Sequence, residues 1–312
     1  MFYSQLDDWD HILFSSSNEL RRSNLRRPGK FPPAKMLPVI PLLLLLSTFL
    51  FPIPPAAASE EQTATEKKKL IFVLAGQSNM AGRGGVSDDR WDHFVPPECR
   101  PTPSILRLSS QLCWEEAREP LHADIDVLKT CGVGPGMPFA QAVLAAGEAA
   151  SIALVPCAVG GTAIGEWGRG TPLYETLVRR ATIAAAAAGG GGVAAVLWYQ
   201  GESDTVLRRD AEAYGSRMER LVRDLRSDLG QPDLLLIQVA LASGEGKFVE
   251  LVREAQKELK LDNLITVDAQ GLQLEPDQLH LTTQSQVKLG SMLAASYLNH
   301  TNKHVHSIHV LK

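Results

Sequence analysis

An alternation of short apolar runs with longer segments of helical periodicity dominates the sequence from residue 68 to residue 300. The apolar runs have the length and composition of buried strands. Strands are predicted at 70–75, 104–108, 152–158, 193–199, 233–240 and 264–268, and helices at 137–149, 173–188, 203–229, 247–260 and 283–298. Alternating β and α units build a parallel sheet that helices cover on both faces. Roughly 240 residues fit one such domain.

Residues 1–59 do not have the pattern of a globular domain. A basic segment, "RRSNLRRPGK", precedes an apolar run that starts near Leu42, and the small residues 56–58 close that run. This arrangement is typical of a secretory signal with a cleavage site near Ser59, and it predicts a protein of the secretory pathway, outside the cell or in the cell wall. A single-pass membrane anchor, a transit peptide and a misassigned start are the alternatives. The predicted organisation is 1–59 for the signal or anchor, 60–300 for the domain and 301–312 for a disordered or late-strand tail.

Charge and cysteine content exclude several classes of function. The net charge is -4 and charged residues make up 21% of the chain, which indicates neither a nucleic-acid-binding protein nor a disordered chain. The four cysteines have no C-x-x-C spacing, so zinc and thioredoxin-like redox chemistry are not indicated. They form either up to two disulfides or buried free thiols. The histidines near the C-terminus have no carboxylate or cysteine among them, which favours a tail over a metal site.

The segment "IFVLAGQSNM" ends a predicted strand with a serine between two amides. Because ligands gather outside the carboxyl ends of parallel strands, Ser78 is expected at the functional edge of the sheet, flanked by Gln77 and Asn79. A serine needs an imidazole and a carboxylate to become a nucleophile. Met80 breaks the G-x-S-x-G pattern of the usual nucleophile elbow. The alternative is an ordinary turn or N-cap serine.

The missing base and carboxylate are both found in the loop "LEPDQLHLTTQSQ". Asp277 and His280 lie three residues apart, just before the last predicted helix. A short turn at that spacing can place the carboxylate against Nδ1 of the ring and leave Nε2 free for a serine elsewhere. The alternative is that Asp277 caps a turn and that His280 is a surface residue.

Two further strand ends carry groups that can stabilise an oxyanion. In "VGGTAIGEW", Gly160 and Gly161 allow backbone amides to approach a ligand closely. In "QGESD", Gln200 can donate through its side-chain amide. Each loop alone is also compatible with a plain βα turn. Convergence of all these strand ends on one sheet edge favours an acyl-transfer site.

The segments "GQSNM", "GGTAIGEW", "WYQGESD" and "DQLH", in this order, resemble the motifs of the SGNH-hydrolase superfamily. They are most similar to its sialate O-acetylesterase and acetylxylan-esterase-like group, carbohydrate esterase family six, which includes probable carbohydrate esterases of plants. The resemblance covers residues 68–300. It implies a three-layer α/β/α, flavodoxin-like fold with a central parallel sheet, and ester hydrolysis without a metal or another cofactor. It also implies that Ser78 is the nucleophile, His280 the base and Asp277 its orienting acid, with Gly160 or Gly161 as the glycine of the second block.

The third block departs from the wider superfamily, in which many members carry an asparagine. Here Gln200 is the candidate side-chain donor to the oxyanion, because an ionised Glu202 accepts hydrogen bonds but cannot donate them. Glu202 is interpreted either as an acceptor that fixes the neighbouring loop or the amides of Gln77 and Asn79, or as a simple helix-start carboxylate.

Three more residues are candidates for contacts with a sugar. Arg83, Trp167 and Arg169 have the guanidinium forks and the aromatic face that suit carbohydrate, and ordinary loop packing is the alternative for each. The predicted function is a serine esterase that removes acetyl groups from O-acetylated carbohydrate. A hydrolase of another ester and a non-catalytic carbohydrate-binding protein on the same scaffold are the alternatives.

Overall fold

The structure is a computed structural model that describes residues 68–310; the predicted signal or anchor, 1–59, lies outside this range. The strands in the described range are β1 (Lys69–Gly76), β2 (Val86–Ser87), β3 (Arg90–Trp91), β4 (Ile105–Leu108), β5 (Trp114–Glu116), β6 (Ser151–Pro156), β7 (Ala195–Tyr199), β8 (Leu235–Ala240) and β9 (Leu264–Asp268). The α-helices are α1 (Ser78–Ala81), α2 (Gly136–Ala145), α3 (Pro172–Ala187), α4 (Arg208–Asp228), α5 (Val249–Glu258) and α6 (Thr283–Val310). All six predicted strands and all five predicted helices are present; β9 has the predicted bounds, and the others have shifted ends.

Seven strands form one sheet in the order β5-β4-β6-β1-β7-β8-β9. Neighbouring strands are parallel, except that β5 runs antiparallel to β4. The strands β6, β1, β7, β8 and β9 have the 2-1-3-4-5 order of flavodoxin-like sheets, in which the chain turns to opposite sides of its first strand. Ligands of such sheets bind outside the carboxyl ends of the strands at this switch point. The topology therefore favours a site at the end of β1.

Helices cover both faces of the sheet. The ring of Phe72 in β1 contacts Phe139 of α2 and Tyr297 of α6, with centroids 4.8 and 5.0 Å apart. Trp198 of β7 is in register with Ala75 of β1, and it points to the opposite face from Phe72 because successive side chains alternate across a strand. On that face Trp198 meets helix α4. The expected three-layer α/β/α arrangement is confirmed.

The end of β1 is packed tightly against β7. Gly76 has a φ of +125°, and a Cβ at this position would lie 2.1 Å from the carbonyl oxygen of Tyr199. Only glycine fits such a close approach of two backbones. The amide of Gln77 then donates to the same carbonyl at 2.8 Å. This contact fixes the point at which Ser78 leaves the sheet.

A buried arginine ties together the ends of two other strands. Arg180 of α3 is 4% exposed, and its guanidinium donates to the carbonyls of Pro156, Ser109 and Leu108 at 3.0, 3.0 and 2.7 Å. These carbonyls lie at or next to the ends of β6 and β4. Arg180 thus holds the strand that leads into the glycine-rich loop.

Several elements differ from the sequence-based expectation. No helix was predicted at Ser78–Ala81, where the structure has the single turn α1. The hairpin of β2 and β3 and the edge strand β5 are too short to produce a recognisable period, with two or three residues per strand. Helix α6 continues to Val310, through most of the segment 301–312 that was expected to be a tail. No proline or glycine follows Gly290 before the end of this helix, so nothing in the sequence interrupts it.

All four cysteines are free thiols, so the disulfide alternative is not realised. Three of them are buried and one, Cys113, is exposed. Burial raises the pKa of Cys131 and of Cys157 to about 11, which keeps both in the inert thiol form. Within residues 68–310, none of the helices combines the length and the apolar character needed to cross a bilayer.

Candidate active site

Ser78 lies at the wall of a cavity of about 660 Å³ at the carboxyl edge of the sheet. It is the first residue of α1, directly after the end of β1, and only 5% of it is exposed. Because Ser78 is the first residue of this helix, its backbone amide has no acceptor within the helix. The glycine-rich loop after β6 and the loop before α6 line the same cavity. The structure thus brings three of the four sequence motifs to one opening.

A continuous chain of hydrogen bonds joins Ser78, His280 and Asp277. Nε2 of His280 lies 3.0 Å from Oγ of Ser78, and Nδ1 lies 2.6 Å from Oδ2 of Asp277. An ionised carboxylate can only accept, so Nδ1 carries the proton of a neutral ring and Nε2 accepts from the serine hydroxyl. In this geometry Nε2 of His280 can accept the hydroxyl proton of Ser78.

Asp277 is bound tightly within its own turn. Its Oδ1 accepts the backbone amides of Leu279 and His280, both at 2.9 Å. Partial burial raises the pKa of this carboxyl, but these two amides and the imidazole outweigh burial and hold the pKa below its ordinary value. The carboxylate is therefore ionised and fixed where it faces the ring.

Gly160 packs directly against the serine. A Cβ on Gly160 would lie 3.4 Å from Cβ of Ser78 and 2.6 Å from Nη2 of Arg83, so any larger residue would displace the neighbouring side chains. The amide of Gly160 donates to Oδ2 of Asp126 at 3.1 Å. Among the described residues, the amide of Gly161 has no such acceptor, and the space around its Cα is open. The two glycines therefore differ: the amide of Gly160 is bonded to Asp126, and the amide of Gly161 has no acceptor among the described residues.

Arg83 lines the cavity and forms an ion pair with Asp126. Both residues are buried, at 5% and 2% exposure. Nη1 of Arg83 also donates to the carbonyl of Gly82 at 3.0 Å, so the guanidinium is fixed beside the glycine-rich loop. Sequence reasoning missed Asp126, because a lone carboxylate in an irregular loop carries no motif.

The structure corrects the prediction for Gln200. This residue is fully buried, and its Nε2 lies within hydrogen-bond distance of the carbonyl of Thr162 (2.9 Å), Oδ2 of Asp204 (2.7 Å) and Oε1 of Gln77 (3.3 Å). Both amide hydrogens are thus used inside the protein. Gln200 does not line the cavity, so its donors do not reach a ligand next to Ser78.

Gln77 connects the ends of β1 and β7. Its Oε1 accepts the backbone amides of Gly201 and Ser203 at 3.2 and 3.3 Å. The side chain is fully buried, so these bonds are not exposed to competition from bulk water. Gln77 therefore fixes the loop after β7 relative to the serine.

Asn79 holds His280 from both sides along the chain. Its Nδ2 donates to the carbonyl of Leu279 at 3.3 Å, and its Oδ1 accepts the amide of Leu281 at 2.9 Å. Asn79 is adjacent to Ser78 in sequence, so one short segment positions both partners of the Ser78–His280 contact. This side chain is fully buried and does not line the cavity.

Nδ2 of Asn79, which donates to Leu279, also donates to Oε1 of Glu202 at 2.8 Å. Burial raises the pKa of Glu202 to about 7, although the bond from Asn79 acts in the opposite direction. Burial also raises the pKa of Asp204, the acceptor of the Gln200 amide. Of the two interpretations of Glu202, the contact agrees with an acceptor for the amide of Asn79.

Trp167 and Arg169 do not face the cavity. Trp167 is fully buried, its ring packs edge-on against Trp198 at 5.3 Å, and its Nε1 donates to Thr162 at 3.0 Å. Arg169 forms a two-pronged ion pair with Asp228, with both N···O distances at 2.8 Å. Loop packing accounts for both residues, and the expected sugar contacts are corrected accordingly. Within residues 68–303, no group of three or more His, Cys, Asp or Glu side chains is arranged to hold a metal ion.

Comparisons with known proteins agree with this architecture. Residues 68–299 match the family described as carbohydrate esterase, sialic acid-specific acetylesterase. A curated relative, a probable carbohydrate esterase of Arabidopsis thaliana, is 58% identical over 237 residues, which cover 73% of this chain and 90% of the relative. A crystal structure of an Arabidopsis thaliana protein is 57% identical and covers 74% of this chain and 98% of that protein, with a TM-score of 0.71.

A more distant structure shares the fold. The crystal structure of NanS is 18% identical, covers 76% of this chain and 99% of that protein, and has a TM-score of 0.61. The chain belongs to the carbohydrate esterase family of sialic acid-specific acetylesterases, and it is accordingly a carboxylic ester hydrolase. The resemblance inferred from the four sequence motifs is confirmed.

Proposed function

We propose that the protein is a serine esterase that removes acetyl groups from O-acetylated carbohydrate, with Ser78 as nucleophile, His280 as general base and Asp277 as its orienting acid. The observation that supports this most directly is the hydrogen-bond chain from Asp277 through His280 to Ser78 at the wall of an open cavity. The separations of 2.6 and 3.0 Å are within the range expected for a base and its nucleophile.

The reaction proceeds in two halves. Oγ of Ser78 attacks the acetyl carbonyl while Nε2 of His280 takes the hydroxyl proton, and a tetrahedral oxyanion forms. The imidazolium then gives this proton to the sugar oxygen as the ester C–O bond breaks, which leaves an acetyl-serine. Water then attacks the acetyl carbonyl while Nε2 of His280 takes one of its protons. The C–Oγ bond breaks, the imidazolium returns this proton to Oγ, and acetic acid leaves and ionises to acetate in solution. Asp277 stabilises the imidazolium in both halves.

Backbone amides stabilise the oxyanion in this proposal. The amides of Ser78 and Gly161 are the donors, because the amide of Gly160 is bonded to Asp126 and the side chain of Gln200 is turned inward. Donors fixed in the backbone need no reorganisation when the charge develops. Gly160 has a steric role in the same site, since its missing side chain leaves room beside Ser78.

Acetate release from acetylated xylan, mannan and pectin and from a small aryl acetate tests the proposal. The full-length Ser78→Ala variant should lose about 10⁴-fold to 10⁶-fold in rate and should no longer react with a fluorophosphonate probe. Ser291→Ala is the matched control, because this serine is exposed on α6. Wild-type rates in Ser78→Ala would overturn the assignment. A folded wild-type protein that releases no acetate and is not labelled would favour a non-catalytic binding protein.

A further inference from the structure

The cavity in front of Ser78 carries more negative than positive charge. Among the described residues that line it, two are cationic, Arg83 and Lys129. The lining carboxylates are Asp88, Asp89, Glu245, Glu275 and Asp277. Arg83 is neutralised by its ion pair with buried Asp126, and Asp277 is bound to His280. A ligand in the cavity therefore meets four further carboxylates and one further ammonium group.

The β2–β3 hairpin holds two of these carboxylates at the rim. Asp88 and Asp89 form the two-residue turn between the strands, and both have a positive φ, of 50° and 56°. Two adjacent residues in this conformation make a type I′ turn, whose twist matches that of a hairpin. Oγ1 of Thr130 donates to the carbonyl of Asp89 at 2.7 Å. The backbone at the turn is therefore tethered, and both side chains are exposed at the rim.

Two more carboxylates of the wall, Glu275 and Glu245, are held by hydrogen bonds to neutral groups. Oε1 of Glu275 accepts the amide of Gly85 at 3.2 Å, just before β2. Oε1 of Glu245 accepts from the hydroxyl of Ser203 at 2.8 Å. Neither carboxylate has a cationic partner among the described residues. Their negative charge thus faces the cavity without a fixed counter-charge.

From this charge distribution we propose that the cavity selects uncharged O-acetylated glycans and discriminates against glycans that carry a carboxylate, with Asp88 and Asp89 as specificity-determining residues. The inference rests on the proposed function, because it concerns the substrate of the same site. A carboxylate on the sugar, as in uronic acids, would be repelled by the wall, and clefts of one sign change encounter rates by about 10-fold to 10³-fold. The same repulsion would act on sialic acids, so in this proposal the chain differs in substrate from the sialic acid specificity that its family description names. Among the described residues that line the cavity, Lys129 is the one cation outside an ion pair, and four carboxylates outnumber it.

A pair of substrates that differ only in charge tests the proposal. The full-length enzyme is assayed on an O-acetylated methyl glucuronoside and on the corresponding glucuronamide. At low salt, kcat/KM should favour the amide by at least about tenfold. Raising the salt from about 10 mM to about 1 M shortens the screening length from about 30 to about 3 Å and should remove most of this preference.

The Asp88→Asn/Asp89→Asn double variant assigns the effect to the hairpin. Asparagine adopts a positive φ at least as readily as aspartate, so the turn is retained and only the charge changes. The preference for the amide should fall at least about threefold in this variant. Asp262→Asn, an exposed position in a separate pocket, is the matched control and should retain the wild-type preference.

Binding to Ser78→Ala separates this inference from the proposed function. Titration calorimetry of both glycans on this variant measures the same preference without turnover. If the wild-type protein released no acetate from these glycans or from the polysaccharides and aryl acetate above, the esterase proposal would be overturned, while the ratio of dissociation constants would still decide the charge inference. The charge inference would be overturned by equal kcat/KM or equal affinity for the acid and the amide at low salt. An unchanged preference in the double variant would also overturn it, as would a Ser78→Ala variant that binds neither glycan.

Discussion

The polar side chains behind Ser78 are buried and bonded to one another, whereas most carboxylates in front of it are partly or fully exposed and have no ion pair among the described residues. The buried set has no measurable exposure and consists of Gln77, Asn79, Gln200, Glu202 and Asp204. The exposed set forms the cavity wall and includes Asp88, Asp89 and Glu245. Removing one member of a buried network leaves its partners unsatisfied, which costs about 1–3 kcal/mol each, while exposed groups are simply rehydrated. The interior is therefore suited to fixing geometry, and the wall is free to vary with the substrate.

Asp277 gives the strongest test of this difference between the buried side chains and the cavity wall. It lies on the exposed wall, with 48% of its side chain accessible, yet it is bonded to His280 like an interior residue. We expect Asp277→Asn to lower kcat by about 10²-fold to 10⁴-fold, because an amide that donates to Nδ1 would hold the ring in the wrong tautomer. Steady-state kinetics on an acetylated xylo-oligosaccharide would measure this.

The control for this variant is Glu275→Gln, a conservative change two residues away on the same wall. It removes a charge from the cavity but leaves the Ser78–His280 contact intact. A loss in Asp277→Asn no larger than that in Glu275→Gln would mean that Asp277 acts only through its charge, and that the wall has no catalytic member.

Asn79 tests the interior side of the comparison. Asn79→Ala removes the bonds to Leu279, Leu281 and Glu202 at once. We expect kcat to fall by about 10-fold to 10²-fold with little change in KM, because the serine and the histidine lose their alignment rather than their chemistry. Unfolding by denaturant should show a loss of about 2–4 kcal/mol, since buried partners are left unpaired.

Asn299→Ala is the matched control for the amide, because Asn299 is exposed on α6 and alanine is a better helix former. If Asn79→Ala raised KM and left kcat unchanged, Asn79 would be contacting substrate rather than positioning His280. Asn79 would then belong with the residues of the cavity wall rather than with the buried set.

The central sheet and the Ser78–Asp277–His280 grouping could be predicted because local signals specify them. Apolar runs mark buried strands, parallel topology gathers their carboxyl ends, and a spacing of three residues is enough to place Asp277 against His280. The direction of the Gln200 side chain could not be predicted, because it depends on acceptors at Thr162 and Asp204 that only the folded chain brings together.

The cavity wall was missed for a related reason. The hairpin that carries Asp88 and Asp89 has two residues per strand, so no period precedes its turn. Trp167 was considered for the cleft because aromatic residues suit sugars, but its burial against Trp198 depends on which way a loop closes over the sheet. Local sequence signals thus located Ser78, Asp277 and His280, whereas the tertiary contacts of loops determine which side chains surround them.

Glu202 offers the finest test of the interior, through the pH dependence of stability. Burial raises its pKa to about 7 in the folded protein, from 4.5. Between these values the unfolded chain releases a proton that the folded protein keeps, so rising pH favours unfolding, and the stability present at low pH is lost as pH rises through about 7. Glu202→Gln resembles the protonated acid and lacks this dependence. The variant should match wild type near pH 5 and exceed its stability by about 1–3 kcal/mol near pH 8.

Denaturant titrations of both proteins across this pH range measure the difference directly. Glu258→Gln, an exposed position at the end of α5, should follow the wild-type curve and controls for the loss of one negative charge. Parallel curves for Glu202→Gln and wild type would mean that Glu202 is hydrated in solution. The interior behind Ser78 would then resemble the wall in front of it, and the distinction between a fixed and a variable side of the site would have to rest on Asn79 alone.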